Sequence, residues 1–210
     1  MVEITDLRFN KAKKRVSIYI DGVFSFTLSK EVVVNAGLQK GKHISSDQIQ
    51  DLVDNDLYQT CLSTAMDFLG YRPRSESEVR QRLCRRGFNS NVVGKVLTRL
   101  KEQKLIDDPA FAQYWIDNRL AFNPRSKRMI KLELRQKGVD IETIDVVADE
   151  LDDEDSAYKM GLKKARFLTT LSYEEFCNRL YNYLRRRGFS YDVISCVEAR
   201  IWSELHASCE

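Results

Sequence analysis

Hydrophobic and polar side chains alternate near the start of the chain with a period of two, the pattern of half-buried β-strands. Two such runs occupy residues 15–20 and 24–28. Asp21-Gly22 lies between them, and this dipeptide favours the tight turn of a β-hairpin. The pattern therefore predicts a hairpin in this region.

Neighbouring segments are expected to complete this small sheet. Hydrophobic residues within 2–4 and 7–9 predict a third strand. A lone hairpin is marginally stable in water, so the sheet also needs a cover. The run at residues 30–36, closed by Gly37, predicts a short helix packed on the sheet.

From about residue 57 the hydrophobic pattern becomes helical and repeats itself. Gly87, Gly138 and Gly188 mark the register, at spacings of 51 and 50 residues. Hydrophobic residues recur eight and four positions before each glycine, and one, six, nine and thirteen positions after it. At four positions before the glycine, for example, the residues are Leu83, Leu134 and Leu184. These spacings place the recurring side chains on single helical faces.

The glycines also predict where helices end and begin. Each is expected to end a helix at the position that requires a positive φ, with basic residues in the last turn facing the helix dipole. The next helix then begins at a capping residue. The predicted caps are Asn89, Asp140 and Ser190. Leading helices are predicted at residues 57–69, 109–121 and 156–168, the second capped by Asp108 before Pro109.

The predicted fold is therefore mainly α-helical. Three three-helix repeats form a tandem array at residues 57–106, 107–153 and 154–210. A small β-rich segment that contains the hairpin, residues 1–56, precedes them.

Several segments of these repeats resemble the RecX family, bacterial modulators of the RecA recombinase. The similar segments are Tyr71–Arg80, Leu83–Phe88, Leu105–Ala112 and Glu133–Val139. The resemblance covers roughly residues 57–205, and the β-rich segment resembles the N-terminal extension of longer members. One departure is Asn123-Pro124-Arg125-Ser126, which stands where many members have a glycine-containing turn.

The resemblance implies a regulator without catalytic activity or a cofactor. Members of the family bind along the groove of the RecA filament on single-stranded DNA. They restrain ATP hydrolysis, strand exchange and co-protease activity. The alternative hypothesis is a stand-alone DNA-binding helical repeat module, and direct DNA contact stays open beside the RecA filament as partner.

Composition narrows the remaining classes. The 210 residues are 43% hydrophobic and 31% charged, with a net charge of +3, which is typical of a folded soluble chain. No apolar run approaches the roughly 18 residues of a membrane span. The five cysteines, Cys209 among them, never form C-x-x-C, which favours free thiols in a cytoplasmic protein. Nothing in the pattern requires more than a monomer.

Catalytic and metal-binding patterns are weak throughout the sequence. His43 and His206 have no partner pattern, and His43 is expected in a loop. Gly41-Lys42-His43 lacks the residues of a phosphate-binding loop at both ends. The pair Asp107-Asp108 is better explained by helix capping than by metal binding, because Pro109 follows it. We therefore predict no catalytic, cofactor or metal site.

The basic clusters are the candidate partner or DNA-binding residues. Singly, each arginine is consistent with a solvated helix end, but the set recurs with the repeat and predicts a basic stripe for acidic protein surfaces or DNA phosphates. The candidates are Arg72 and Arg74; Arg82, Arg85 and Arg86; Arg125, Lys127 and Arg128; and Arg185, Arg186 and Arg187.

Two further sets of residues have open interpretations. Nearby aromatic residues either stack on bases or pack locally. The acidic run from Asp145 to Asp155 is either a solvated junction between repeats or a contact for basic partner loops. The aromatic candidates are Tyr71, Phe122, Tyr181 and Tyr183.

Overall fold

The structure, a computed structural model, describes residues 1–12 and 14–207, so Cys209 lies outside the described residues. The chain is mainly helical and begins with a small antiparallel sheet, as predicted. The elements are β1 (Val2–Asn10), β2 (Arg15–Ile20), β3 (Val23–Ser29), α1 (Lys30–Asn35), β4 (His43–Ile44), α2 (Ser46–Leu69), α3 (Glu76–Arg85), α4 (Ser90–Glu102), α5 (Asp108–Phe122), α6 (Lys127–Gln136), α7 (Ile141–Val147), α8 (Asp153–Ala165), α9 (Tyr173–Arg185) and α10 (Tyr191–Ala207).

These elements form two compact units. The first contains Met1–Arg72 and Val79–Gln103. The second contains Pro73–Glu78 and the chain from Lys104 onward. The helix α3 thus contributes its first residues to the second unit and the rest to the first.

The first unit begins with a sheet of strand order β3-β2-β1-β4, antiparallel throughout. Asp21 and Gly22 join β2 to β3 with φ values of 50° and 81°, as the predicted hairpin turn requires. The third strand and the short helix α1 are also confirmed. The buried side of the sheet carries Ile4, Val16, Ile18 and Leu28, which pack with residues of α1 and α2.

Two predictions for this unit were wrong. The first leading helix begins at Ser46 rather than at residue 57, because Ser45 and Gln48 form a capping box there. Its first turns pack on the sheet through Leu52 and neighbouring hydrophobic residues. His43 lies in β4, where it pairs with Glu3, and not in a loop. The division of the chain into four segments stays a prediction.

A buried carboxylate fastens α2 to the sheet. Asp56 is 4% exposed. One of its oxygens accepts a hydrogen bond from Nη2 of Arg15 at 2.6 Å, and the other accepts one from the backbone N of Ser29 at 2.6 Å. These two hydrogen bonds, called the Asp56 lock below, join α2 to β2 and β3. No local sequence pattern predicts them.

The three register glycines end helices as predicted. Gly87, Gly138 and Gly188 have φ values of +90°, +78° and +90°. The hydrophobic residues four and eight positions before each glycine are fully buried. Asn89 and Asp140 cap the following helices, and Ser190 accepts from the backbone N of Val193.

The middle repeat departs from the common pattern after its glycine. Its third helix, α7, ends at Val147, so Leu151 lies beyond the helix and is only half-buried. Ala148 fills the buried position instead. The short helix leaves Asp149 and Glu150 in the turn that leads to α8.

The helices α3 and α6 each begin against the first residue of a later helix, α5 and α8 respectively. Asp107, and not Asp108, caps α5, because its side chain accepts from the backbone N of Ala110. Asp108 instead accepts from the backbone N of Glu76 at 2.8 Å, at the start of α3. Asp153 repeats this arrangement one repeat later and accepts from the backbone N of Lys127 at 2.6 Å.

The glycines take part in the same junctions. A Cβ atom on Gly138 would lie 2.3 Å from Cβ of Ser77, and one on Gly188 would lie 2.2 Å from Cγ of Met129. No atom lies within 4 Å of the same position on Gly87, which belongs to the first repeat. Gly138 and Gly188 are therefore needed twice, for their positive φ and for the close approach of neighbouring helices.

We expect Asp56→Ala to lower the free energy of unfolding by about 3 kcal/mol, because it leaves Arg15 and the Ser29 amide without their buried acceptor. Urea unfolding followed by circular dichroism measures the change. Asp51→Ala, on the exposed side of the same helix, is the matched control and is expected to change little. Equal effects of the two substitutions would contradict the Asp56 lock.

Gly138→Ala and Gly87→Ala separate the two requirements on the register glycines. Both substitutions carry the cost of a positive φ, about 1–2 kcal/mol. Only Gly138→Ala also forces the new Cβ into Ser77, which adds a further cost of about 1–3 kcal/mol. Thermal unfolding of both variants measures the difference, and equal losses would show that the close approach has no energetic weight.

Candidate interaction surface

Four exposed cations of the second unit lie on its two middle helices, α6 and α9. Arg128 and Arg135 are exposed on α6, and Arg185 and Arg186 are exposed at the end of α9. Arg135 and Arg185 each stand three residues before a register glycine, so the two repeats present a cation at an equivalent place. No carboxylate among the described residues pairs with any of these four side chains.

Three other predicted cations of this unit have structural partners. Nε of Arg125 lies 3.3 Å from Oε1 of Glu133, Nζ of Lys127 lies 3.6 Å from Oδ1 of Asp149, and the Arg187 guanidinium lies 3.8 Å from the ring centre of Tyr183. These contacts lie within the fold, so the three side chains are less available to a partner than the sequence suggested.

Glu133 contacts Arg125 and two further residues of the second unit. Its side chain is 14% exposed and accepts hydrogen bonds from Nε1 of Trp115 at 2.9 Å and Nε of Arg119 at 2.7 Å. Arg119 also lies over the Trp115 ring at 4.7 Å. Together with Arg125, these groups join α5 to α6 and hold α6 in place for its exposed face.

The remaining predicted cations surround α3. Arg85 and Arg86 are exposed at its end. Arg82 lies over the ring of Phe68, 5.4 Å from its centre. Arg72 and Arg74 precede the helix and are half-buried. All eleven candidates stay predictions as binding residues, and the structure distinguishes those with free charge from those with partners.

Sequence analysis missed Arg135 as a candidate. The cluster counted for the middle repeat lay at the start of α6, at Arg125, Lys127 and Arg128. The sequence does hold a signal for Arg135, because Arg185 stands at the same distance before its own register glycine. The structure makes that equivalence physical, because both side chains are exposed in the last turn of their helices.

The aromatic candidates also include both exposed rings and a ring that is covered within the fold. Tyr181 contacts Tyr191 edge to face, with ring centres 6.1 Å apart, and Arg185 lies 5.7 Å from the centre of the Tyr181 ring. Tyr191 is 68% exposed. Tyr71 and Phe122 are more exposed still, at 85% and 82%. Tyr183, by contrast, is covered by a guanidinium and is a packing residue.

Comparison with known proteins assigns the family. Profiles described as the RecX N-terminal domain and the first, second and third RecX three-helix domains match residues 2–45, 61–100, 107–147 and 152–197. The chain belongs to the RecX family of regulatory proteins. The matches follow the observed order of a β-rich segment and three helical repeats.

Individual RecX proteins are similar over most of their length. The regulatory protein RecX of Bacillus subtilis strain 168 is 31% identical over 194 residues, which cover 91% of this chain and 74% of the relative. That of Clostridium acetobutylicum is 30% identical over 209 residues, covering 96% and 97%.

Solved structures agree with the fold. A crystal structure of regulatory protein RecX superposes with a TM-score of 0.66 at 26% identity, covering 95% of this chain and all of that one. The RecX structure from Lactobacillus salivarius gives a TM-score of 0.62 over 70% of this chain, and its 22% identity supports the fold alone.

The acidic run of this RecX protein is largely engaged within the fold. Asp145 pairs with Lys131 at 2.7 Å, and this contact lowers the pKa of the Asp145 carboxyl. Asp152 caps α8, and Asp153 caps the start of α6. The run therefore serves mainly as a junction between the second and third repeats, one of the two interpretations left open by the sequence.

Groups with potential chemistry are dispersed. Among the described residues no cluster of three or more His, Cys, Asp or Glu side chains could hold a metal ion. His206 stacks on Trp202, with ring centres 3.8 Å apart. Burial raises the pKa of the Cys61 thiol to about 11, which makes this cysteine unreactive at neutral pH. No helix in the described part of the chain has the length and hydrophobicity to cross a membrane.

The half-buried side chain of Glu198 on α10 has one buried carboxyl oxygen. Burial raises the pKa of Glu198 to about 7, and its Oε1 has no hydrogen-bond partner among the described residues. It faces Cys177, whose thiol pKa is also raised by burial, and the nearby Tyr173. Ionisation of Glu198 near neutral pH thus introduces an unpaired charge between α9 and α10.

Glu198 makes folding stability depend on pH. Because its folded pKa lies above the ordinary value, its contribution is fully present below about pH 4.5 and is lost as pH rises through about 7. We expect Glu198→Gln to be more stable than the natural protein by about 2 kcal/mol at pH 8 and equal to it at pH 5. Urea unfolding at both pH values tests this, with the exposed Glu150→Gln as control.

Proposed function

We propose that this RecX family protein inhibits RecA recombinase by binding as a monomer along the groove of the RecA filament on single-stranded DNA. Binding there restrains ATP hydrolysis, strand exchange and co-protease activity. The proposal rests on family membership, and the observation that carries the contact surface is the recurrence of unpaired, exposed cations at equivalent ends of α6 and α9.

Repetition suits a filament because a filament repeats its own subunits. Each cation by itself contributes little in water. Two or more repeats that contact neighbouring filament subunits convert weak contacts into firm binding through effective concentration. Such bridging also resists the subunit rearrangements that accompany ATP turnover, which is how a protein without catalytic groups restrains an ATPase.

The direct test is DNA-stimulated ATP hydrolysis by RecA on single-stranded DNA, titrated with this protein at fixed salt. Inhibition well below one molecule per RecA subunit supports the filament regulator and points to end-capping or blocked extension. Inhibition only near one molecule per subunit supports coating of the groove. Unchanged hydrolysis at micromolar protein would overturn the proposal.

Direct DNA binding is the second candidate function. Arg185 lies beside the pair formed by half-buried Tyr181 and exposed Tyr191, and a cation beside aromatic rings is the combination found in single-strand binding sites. Binding to bare DNA that weakens by about 0.7 log units per contact for each decade of salt would favour this function over RecA binding.

The double variant Arg185→Glu/Arg186→Glu tests the cationic surface. Both side chains are exposed and lack carboxylate partners in the described chain, so we expect an unchanged melting temperature and a rise of about tenfold or more in the concentration that half-inhibits RecA. Arg187 is left intact because it packs on Tyr183.

The matched control is Lys40→Glu/Lys95→Glu, which makes the same change in net charge on two exposed lysines elsewhere in the chain. It is expected to inhibit like the natural protein. Loss of helicity in the arginine variant would assign these residues to the fold, and equal inhibition by both variants would remove them from the interface.

A further inference from the structure

A groove in the second unit lies apart from the exposed cations of α6 and α9. Its volume is about 590 Å³, within the range of roughly 300–1,000 Å³ found for ligand sites. The end of α5 supplies Leu120 and Phe122, α8 supplies Met160 and Leu162, and Leu151 comes from the connection between α7 and α8. These residues form an apolar wall, and much of the remaining lining is charged or polar.

Phe122 is the most unusual residue of this groove. Its side chain is 82% exposed, although it is the last residue of α5 and lines the groove. Local packing does not account for a large apolar ring in water at this place. Exposed aromatic side chains beside apolar pockets are typical of residues that become buried when a partner binds.

Some acidic residues of the groove are engaged within the fold, whereas two of its basic residues have no carboxylate partner among the described residues. Asp152 caps α8, and Asp155 pairs with Lys159 at 2.6 Å. Lys163 and Arg166, at the end of α8, have no carboxylate partner in the described chain. The groove thus keeps a cationic end.

Arg187 adds to the positive charge at the groove. Its Nη1 donates to the carbonyl oxygen of Tyr183 at 3.0 Å, which holds the guanidinium in position. Its Nε is buried and has no hydrogen-bond partner among the described residues. Arg187 thus adds a positive charge in a fixed position to the lining of the groove.

We propose that this groove binds an acidic peptide segment of a protein partner. A leucine, methionine or aromatic side chain of that segment packs against Phe122 and the aliphatic walls. A neighbouring carboxylate contacts Lys163, Arg166 and Arg187. The site goes beyond the proposed function, because it defines a peptide-binding specificity that needs none of the exposed cations on α6 and α9.

A protein segment fits the groove better than nucleic acid. Two of the three lining rings are already covered, Tyr183 by Arg187 and Tyr158 by Arg200, so among the described lining residues Phe122 alone offers a ring for base stacking. The carboxylates of Glu150, Asp152 and Asp155 line another part of the groove. They repel a continuous phosphate backbone, whereas a peptide with one or two carboxylates reaches the cationic end alone.

The test selects phage-displayed random dodecapeptides on the full-length protein and measures binding of the enriched peptides by fluorescence anisotropy. We expect enrichment of sequences with a leucine, methionine or aromatic residue close to aspartate or glutamate. Phe122→Ala and Lys163→Glu are each expected to weaken binding by about tenfold. Both side chains are exposed, so the fold is expected to remain intact.

Two control variants match these substitutions. Phe167→Ala removes another ring that is 81% exposed but lies outside the groove lining, and Lys95→Glu makes the same change in charge in the other unit. Both are expected to bind the enriched peptides like the natural protein. Failure to enrich any such sequence, or equal binding by all four variants, would overturn the proposal.

Two further measurements distinguish peptide binding in the groove from DNA binding and from RecA inhibition. Oligo(dT) binding that is lost in Phe122→Ala and Lys163→Glu would overturn the peptide assignment in favour of single-stranded DNA. The Arg185→Glu/Arg186→Glu variant is expected to keep peptide binding while it loses RecA inhibition. If the protein inhibits RecA but binds no peptide, the proposal that the groove binds peptides is wrong, and the proposed RecA inhibition is unaffected.

Discussion

The start of a middle helix in this protein is completed by the repeat that follows it. An α-helix begins with backbone N–H groups that have no partner within the helix, and burial makes an unpaired donor costly. Ser75 and Ser126 are fully buried at two such starts, and each accepts from its own helix. Asp108 and Asp153 of the following repeats supply the second acceptor. Register, glycine positions and repeat order all depend on these junctions.

The junctions also decide which cations are available to a partner. Charges near a junction are used within the unit, as when Nζ of Lys137 contacts Glu78 at 2.7 Å. Arg135 and Arg185, in the last turns of α6 and α9, are exposed and form no ion pair among the described residues. The repeats thus contain two groups of basic residues, those paired within the fold and those exposed at the ends of middle helices.

Sequence analysis was strongest where the signal is local and periodic. The glycine register, the hairpin turn and the buried faces follow from spacings within a few residues. The start of α2 was missed because its first turns are rich in polar residues and its hydrophobic residues face a sheet that lies elsewhere in the sequence. The role of Asp108 was missed because its partner is 32 residues away. For the same reason a sequence shows that Arg125 is basic but not that Glu133 lies beside it.

The last repeat ends the array with a different device. Ser172 caps α9 together with Glu175 of the same helix, in a capping box that needs no following repeat. The middle helices of the first two repeats therefore depend on a later helix for an acceptor at their start, whereas α9 does not. A chain leaves the ribosome from its N-terminus, so every internal middle helix is synthesised before the group that completes it. The starts of α3 and α6 are consequently completed during synthesis only after Asp108 and Asp153, 32 and 26 residues further along, have been added to the chain.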